Sequence, residues 1–110
     1  MERFSVPIKP ERYYANTIHD RIETHIKDCL DDLKDTEDLL VEVPLQSGLI
    51  ITASYFGYRN PNFIVVNGTD KNSNFMSALV PQDSIEVVVK TIEKHSTERR
   101  EIGFQSKDIE

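Results

Sequence analysis

Apolar residues in the first third of the chain recur every three or four positions. They are Tyr14, Ile18, Ile22, Ile26, Cys29 and Leu33. This spacing places them on one face of an α-helix, and Pro10 suits the first turn, where its missing N–H has no partner to lose. The pattern predicts an amphipathic helix over residues 10–34, after an N-terminal arm over residues 1–9. On this helix His25 falls within the apolar stripe, whereas His19 falls largely outside it.

After the helix, the spacing of apolar positions changes to that of extended strands. An acidic linker over residues 35–38 precedes the strands, and a polar C-terminal tail over residues 93–110 follows them. The connections between strands are shorter than the dozen or more residues of a parallel crossover, so they favour an antiparallel meander. The five predicted strands cover residues 39–45, 49–56, 63–67, 75–80 and 84–92.

One helix followed by five strands predicts an α+β fold that is mainly β. A chain of 110 residues has enough material for one hydrophobic core, so we expect a single domain over residues 1–110. A five-stranded meander has two open edges, which closure into a small SH3-like barrel or pairing with a second subunit would cover. The strand pattern leaves both solutions open: a barrel over residues 39–92, whose open end the helix can cap, or strand pairing between subunits of a homo-oligomer.

The composition argues against a membrane protein and against an exported one. The longest apolar runs, residues 49–51 and 63–66, are far shorter than the roughly 20 residues that span a bilayer. The N-terminus shows no export signal, and the single cysteine, Cys29, has no partner for an internal disulfide. A cytoplasmic location with no membrane contact is the expectation.

The histidines and the cysteine do not form a recognisable reaction centre. His25 and Cys29 have the spacing of two zinc ligands on one helix face, but no second Cys or His pair supplies the remaining ligands. We interpret them as a packed histidine beside a small apolar residue. His19 and His95 lack a nearby Ser or Cys nucleophile motif, and no glycine-rich phosphate loop is present. The expectation is a protein that is not an enzyme, with no catalytic residue, metal or cofactor.

The net charge of −6 is concentrated in one stretch of the chain. Residues 28–42 contain seven acidic and one basic residue, whereas residues 43–92 contain three of each. The strand region therefore offers no basic patch for nucleic acid. The acidic stretch lacks the ligand spacing and central glycine of an EF-hand, so a solvated linker is expected. Such a linker would present four carboxylates to a basic protein partner: Asp31, Asp32, Asp35 and Asp38.

The loop between the second and third predicted strands combines aromatic, arginine and asparagine residues. Aromatic rings can stack on bases, and arginine and asparagine can hydrogen-bond base edges. Alternation along the second strand would bury one of Tyr55 and Phe56, and Phe63 begins a strongly apolar strand. The ligand-binding residues expected in this loop are Tyr58, Arg59, Asn60 and Asn62.

The strand region resembles the Sm-like proteins. Residues 41–48 are similar to the first strand of that family and its turn glycine. Residues 55–56 and 62–66 are similar to its second strand, loop and third strand, and residues 79–85 lie where its second motif would be. The resemblance implies a small barrel that forms homo-oligomers and binds single-stranded RNA.

The same resemblance places Gln82 at the ligand site, in the loop between the fourth and fifth strands. Sm-like RNA readers carry an Arg-Gly or Lys-His pair in this loop, where the present chain has Pro81 and Gln82. Two functions therefore stand at this point. One is an Sm-like oligomer that binds single-stranded RNA or a small anionic ligand. The other is a protein–protein interaction or regulatory domain with an acidic surface for a basic partner.

Overall fold

The structure, a computed structural model, describes residues 14–106. It confirms an α+β fold that is mainly β, with one helix before an antiparallel sheet. The predicted arm over residues 1–9, the predicted helix start at Pro10 and the end of the chain from residue 107 lie outside the described residues. No helix within residues 14–106 is long and apolar enough to cross a bilayer. The elements are α1 (Ala15–Asp31), β1 (Glu37–Pro44), β2 (Ile50–Arg59), β3 (Phe63–Thr69), β4 (Phe75–Pro81), β5 (Val88–Glu93) and β6 (Gly103–Phe104).

The strands form one sheet in the order β4-β3-β2-β1-β5, with each neighbouring pair antiparallel. The short β6 pairs with β2 in parallel, through Tyr55 with Gly103 and Phe56 with Phe104. Strands β4 and β5 stand at the two ends of this order and do not pair with each other within residues 14–106. The sheet is therefore open between β4 and β5, and hydrogen bonds between them do not close it into a barrel.

Strand β2 changes partners along its length. Its first residues pair with β1, and its second half has β6 on that side instead. The register with β3 shifts between Ala53 and Tyr55, and such a bulge bends and twists a strand. Opposite the bulge, Gly68 is required, because a Cβ there would collide with the backbone carbonyl of Thr52. The sheet curves enough that residues 44–46 and 78–81 line the same cavity, of about 180 Å³.

Helix α1 packs across β1, β2 and β3, and the core lies between them. The helix buries Ala15, His19 and Ile26. The prediction for the histidines was wrong, because His19 is fully buried and His25 is exposed. Tyr14 lies before the first residue of the helix, and Ala15 lies on its buried face. Relative to the predicted apolar stripe, the buried face is therefore rotated around the helix axis towards His19. The largest fully buried apolar side chains are Phe56, Ile26, Ile51, Ile64, Val41, Val43 and Val66.

Two segments outside the predicted helix and strands are part of the fold. The predicted linker ends inside β1, which begins at Glu37, and Asp38 is buried there. The predicted tail contains β6 and continues with Gln105, whose backbone N–H donates to the carbonyl of Phe56 at 2.9 Å. The Gln105 side chain accepts a hydrogen bond from the N–H of Tyr58 at 2.9 Å. These pairings occupy backbone groups that β1 leaves open along β2.

Candidate ligand-binding surface

The turn between β2 and β3 is fixed to the start of helix α1. The backbone N–H of Ala15 donates to the carbonyl of Pro61 at 2.8 Å, and that of Asn16 donates to Oδ1 of Asn60 at 3.0 Å. These are first-turn N–H groups, which have no partner within the helix. The peptide bond between Asn60 and Pro61 is cis. The turn is therefore held in one position relative to the helix.

Gln82 lies beside this turn. Its backbone N–H donates to the carbonyl of Asn62 at 2.8 Å, across the end of the β3–β4 ladder. Asn60 and Asn62 are exposed, whereas Gln82 is 8% exposed. The structure thus brings together three of the predicted ligand-binding residues, although 20 or more positions of sequence separate Gln82 from the other two.

Tyr58 and Arg59 point in different directions, as expected for successive residues of a strand. The ring of Tyr58 packs edge-on against His19, with centroids 5.0 Å apart, and is half-buried against the helix. Arg59 is exposed, and its Nη1 donates to the carbonyl of Tyr58 at 3.0 Å. Tyr58 is therefore a packing residue here, with part of its ring held against the helix.

An exposed ring does occur at this turn, on Phe63. Phe63 pairs directly with Arg59, so the two side chains share one face of the sheet, and Phe63 is 40% exposed. Sequence analysis places Phe63 at the start of a strongly apolar strand, and the unbroken apolar run of residues 63–66 carries no signal that its first side chain faces outward. We call Arg59, Asn60, Asn62 and Phe63 the β2–β3 turn surface.

A groove of about 320 Å³ continues from Gln82 along the helix. Arg21 and His25, which are one helical turn apart, stand on one side of the groove, and Gln82 stands on the other. Sequence analysis did not select Arg21, and it interpreted His25 as a packed histidine within the apolar stripe. A neighbouring cavity contains Asp20 and Asp28, so the positive charge on this side of the helix is partly balanced. The groove is completed by Ile18, Ile22, Ile85 and Val87.

The four predicted partner-binding carboxylates divide into two groups. Asp31, Asp32 and Asp35 are exposed at and after the end of α1. Asp38 is 4% exposed, and its carboxylate accepts hydrogen bonds from the backbone N–H of Leu39 at 2.7 Å and of Arg100 at 3.2 Å. Asp38 was therefore wrongly placed on an accessible acidic surface, because these internal contacts take it out of solvent.

The residues selected from sequence differ in exposure. Arg59, Asn60 and Asn62 are exposed at the turn, Asp31, Asp32 and Asp35 are exposed at the end of α1, Tyr58 is half-buried, and Gln82 and Asp38 are buried. Together with Phe63, the β2–β3 turn surface has one full positive charge, on Arg59, beside one ring and two amides. Comparison of the chain with protein-family models, with curated proteins and with solved structures gives no match.

Proposed function

We propose that this protein is a non-enzymatic binding module with an Sm-like fold, which assembles as a homo-oligomer and binds single-stranded RNA. The observation that carries the proposal is the β2–β3 turn surface, where Arg59, Asn60 and Asn62 lie beside the exposed ring of Phe63. A cytoplasmic setting is part of the proposal. A small anionic ligand would contact the same residue, Arg59. A competition experiment with RNA shows whether such a ligand occupies this site.

Three side chains of the surface have defined roles in this proposal. Phe63 stacks on a base, and Arg59 contacts a phosphate or a second base face. The side-chain oxygen of Asn60 is occupied by the N–H of Asn16, so its amide NH₂ is the group that reaches a base edge. Because the helix fixes the turn, little conformational entropy is lost when RNA binds.

The oligomer follows from the two open edges of the sheet. Strand β4 exposes Phe75 (73%) and Leu79 (61%), and an edge strand also presents backbone groups without sheet partners. Pairing of β4 with β5 of the next subunit is a head-to-tail contact, which produces a ring when the rotation closes. Each subunit of such a ring carries one copy of the β2–β3 turn surface. Several weak sites in one assembly together bind one RNA strand tightly.

Fluorescence anisotropy with labelled single-stranded oligouridine and oligoadenosine RNA tests the site. We expect Arg59→Ala to weaken binding about tenfold, since a hydrogen bond to a charged group contributes about 1.5–3 kcal/mol. Lys71→Ala, which removes an exposed cation from the β3–β4 turn, is the matched control and should have little effect. Equal losses of RNA affinity in Arg59→Ala and Lys71→Ala would show nonspecific electrostatic attraction. Unchanged affinity in Arg59→Ala would show that RNA does not bind at this surface.

A second function is favoured by a different observation. Asp31, Asp32 and Asp35 are all exposed within five residues at the end of α1, which forms a compact negative surface. Such a surface fits a basic protein partner. Binding of a labelled lysine- and arginine-rich peptide should weaken with salt and be lost when the three residues become Asn. Retention of binding in that triple variant would rule out this surface.

A further inference from the structure

A histidine of helix α1 lies in the core next to two carboxylates that point outward. His19, Asp20 and Glu23 place one ligand atom each within 4.8 Å of one another. His19 is fully buried, whereas Asp20 and Glu23 are partly exposed, so the group lies at the boundary between core and solvent. We propose that these three residues bind a divalent transition-metal ion of the Zn²⁺ type, independently of RNA.

The first argument concerns the two ring nitrogens of His19. Nε2 lies 3.2 Å from the carbonyl oxygen of Phe56, and Nδ1 lies 3.2 Å from Oδ1 of Asp20. Both partners are hydrogen-bond acceptors, and a neutral imidazole has only one N–H to donate. If Nε2 donates to the carbonyl, the lone pair of Nδ1 faces a carboxylate oxygen. A metal ion between these two atoms converts that repulsion into coordination.

The second argument is the spacing of the ligand atoms. Zinc binds histidine nitrogen and carboxylate oxygen at about 2.0–2.2 Å, so two tetrahedral ligands stand roughly 3.3–3.5 Å apart. The observed separation of Nδ1 and Oδ1 is 3.2 Å. Glu23 is one turn further along the helix and now pairs with Lys27 at 2.9 Å. Lys27 is 62% exposed and Glu23 is 26% exposed, and an i, i+4 pair of this kind is weak, so rotation of Glu23 towards the ion costs little.

The third argument is that the ring of His19 is already oriented. Tyr58 and Phe104 contact it edge-on, at centroid distances of 5.0 and 5.8 Å. The hydrogen bond from Nε2 to a backbone carbonyl is also the contact that commonly orients metal-binding histidines. One nitrogen and two carboxylate ligands suit Zn²⁺ or Co²⁺ better than Mg²⁺ or Ca²⁺, which prefer oxygen alone.

Isothermal titration calorimetry of the full-length protein with Zn²⁺, and absorption spectroscopy with Co²⁺, test the site. We expect one equivalent to bind, with affinity reduced at least tenfold in Asp20→Asn and in Glu23→Gln. Both substitutions keep side-chain shape, and circular dichroism checks that each variant folds. Lys27→Ala frees Glu23 and should strengthen binding severalfold. Asp28→Asn, on the same helix, is the matched control and should bind as the unaltered protein does.

The main competitor is the pair formed by His25 and Cys29, whose Nε2 and Sγ atoms are 3.9 Å apart. If that pair held the metal, Cys29→Ser would abolish binding and the Co²⁺ complex would show thiolate charge-transfer absorption. Our proposal requires binding to survive Cys29→Ser without that absorption. Absence of Zn²⁺ binding would also overturn it.

Discussion

At the residue scale, Asp38 links strand β1 to the C-terminal segment. Its carboxylate is nearly inaccessible, accepts the backbone N–H groups of Leu39 and Arg100, and lies 3.9 Å from Nε of Arg100. A buried carboxylate of this kind is stabilised only by its donors. We expect Asp38→Ala to lower the free energy of unfolding by about 1–3 kcal/mol, because both N–H groups lose a charged acceptor. Urea denaturation measures the change.

The matched control is Asp35→Ala, which removes an exposed carboxylate three positions earlier. A surface substitution of this type should change the unfolding free energy by less than about 0.5 kcal/mol. Similar values for the two variants would contradict the structural role of Asp38.

Asp70 gives a pH prediction, also at the residue scale. The backbone N–H groups of Asn74 and Asn72 donate to Oδ1 at 2.9 and 2.8 Å, and these bonds lower the pKa of Asp70 below 3.8. Because folding lowers the pKa of Asp70, its carboxylate stabilises the turn at pH values above the pKa of the unfolded chain. This stabilisation is lost as the pH falls through the pKa of the folded protein.

Carboxyl carbon NMR should therefore give a titration midpoint for Asp70 below 3.8 in the folded protein and a higher midpoint in urea. The amide signals of Asn72 and Asn74 should shift with the same midpoint, because their N–H groups lose the charged acceptor. Equal midpoints in the folded and unfolded protein would contradict the hydrogen bonds of this turn.

At the scale of elements, the strands with regular alternation were predictable, since β1 to β4 each fall within about three residues of their expected ends. Residues 84–87 were expected in the fifth strand but precede β5, because pairing with β1 begins only at Val88. Strand β6 was not predictable, because two residues carry no period and its pairing depends on the bulge in β2.

Tertiary contacts also decide which residues of the candidate sites could be identified from the sequence. The turn residues Arg59, Asn60 and Asn62 were identified from local composition, but the positions of Tyr58 and Phe63 depend on which face of β2 and β3 the helix covers. His19 was missed as a core residue because polar residues are usually assigned to the wet face of a helix. Its contact with Phe56, 37 positions away, has no local sequence signal.

The C-terminal segment gives a prediction at this scale. Gln105 is half-buried, and its side chain accepts the N–H of Tyr58 while its backbone N–H donates to Phe56. Gln105→Ala leaves the N–H of Tyr58 without its acceptor and should destabilise the fold by about 1–3 kcal/mol in urea denaturation. Gln46→Ala, on an exposed turn, is the control and should be nearly neutral. A neutral Gln105→Ala would mean that this segment does not hold the fold together.

At the scale of the whole molecule, the open edges of the sheet predict assembly. Phe75 and Leu79 project from β4, one of the two strands at the ends of the sheet order. We expect Phe75→Lys or Leu79→Lys to dissociate the oligomer, because a lysine on an edge strand opposes pairing. Leu49→Lys alters a residue of similar exposure, 54%, outside strands β4 and β5, and should leave the assembly intact. Sedimentation velocity distinguishes the three variants.

The most direct test of an oligomeric RNA-binding module is size-exclusion chromatography of the purified protein with light scattering and absorbance at 260 and 280 nm. We expect an assembly of several subunits that carries excess absorbance at 260 nm, and that loses this excess after nuclease treatment or in the Arg59→Ala variant. A monomer free of nucleic acid, which also fails to bind added single-stranded RNA, would show that the protein is not such a module.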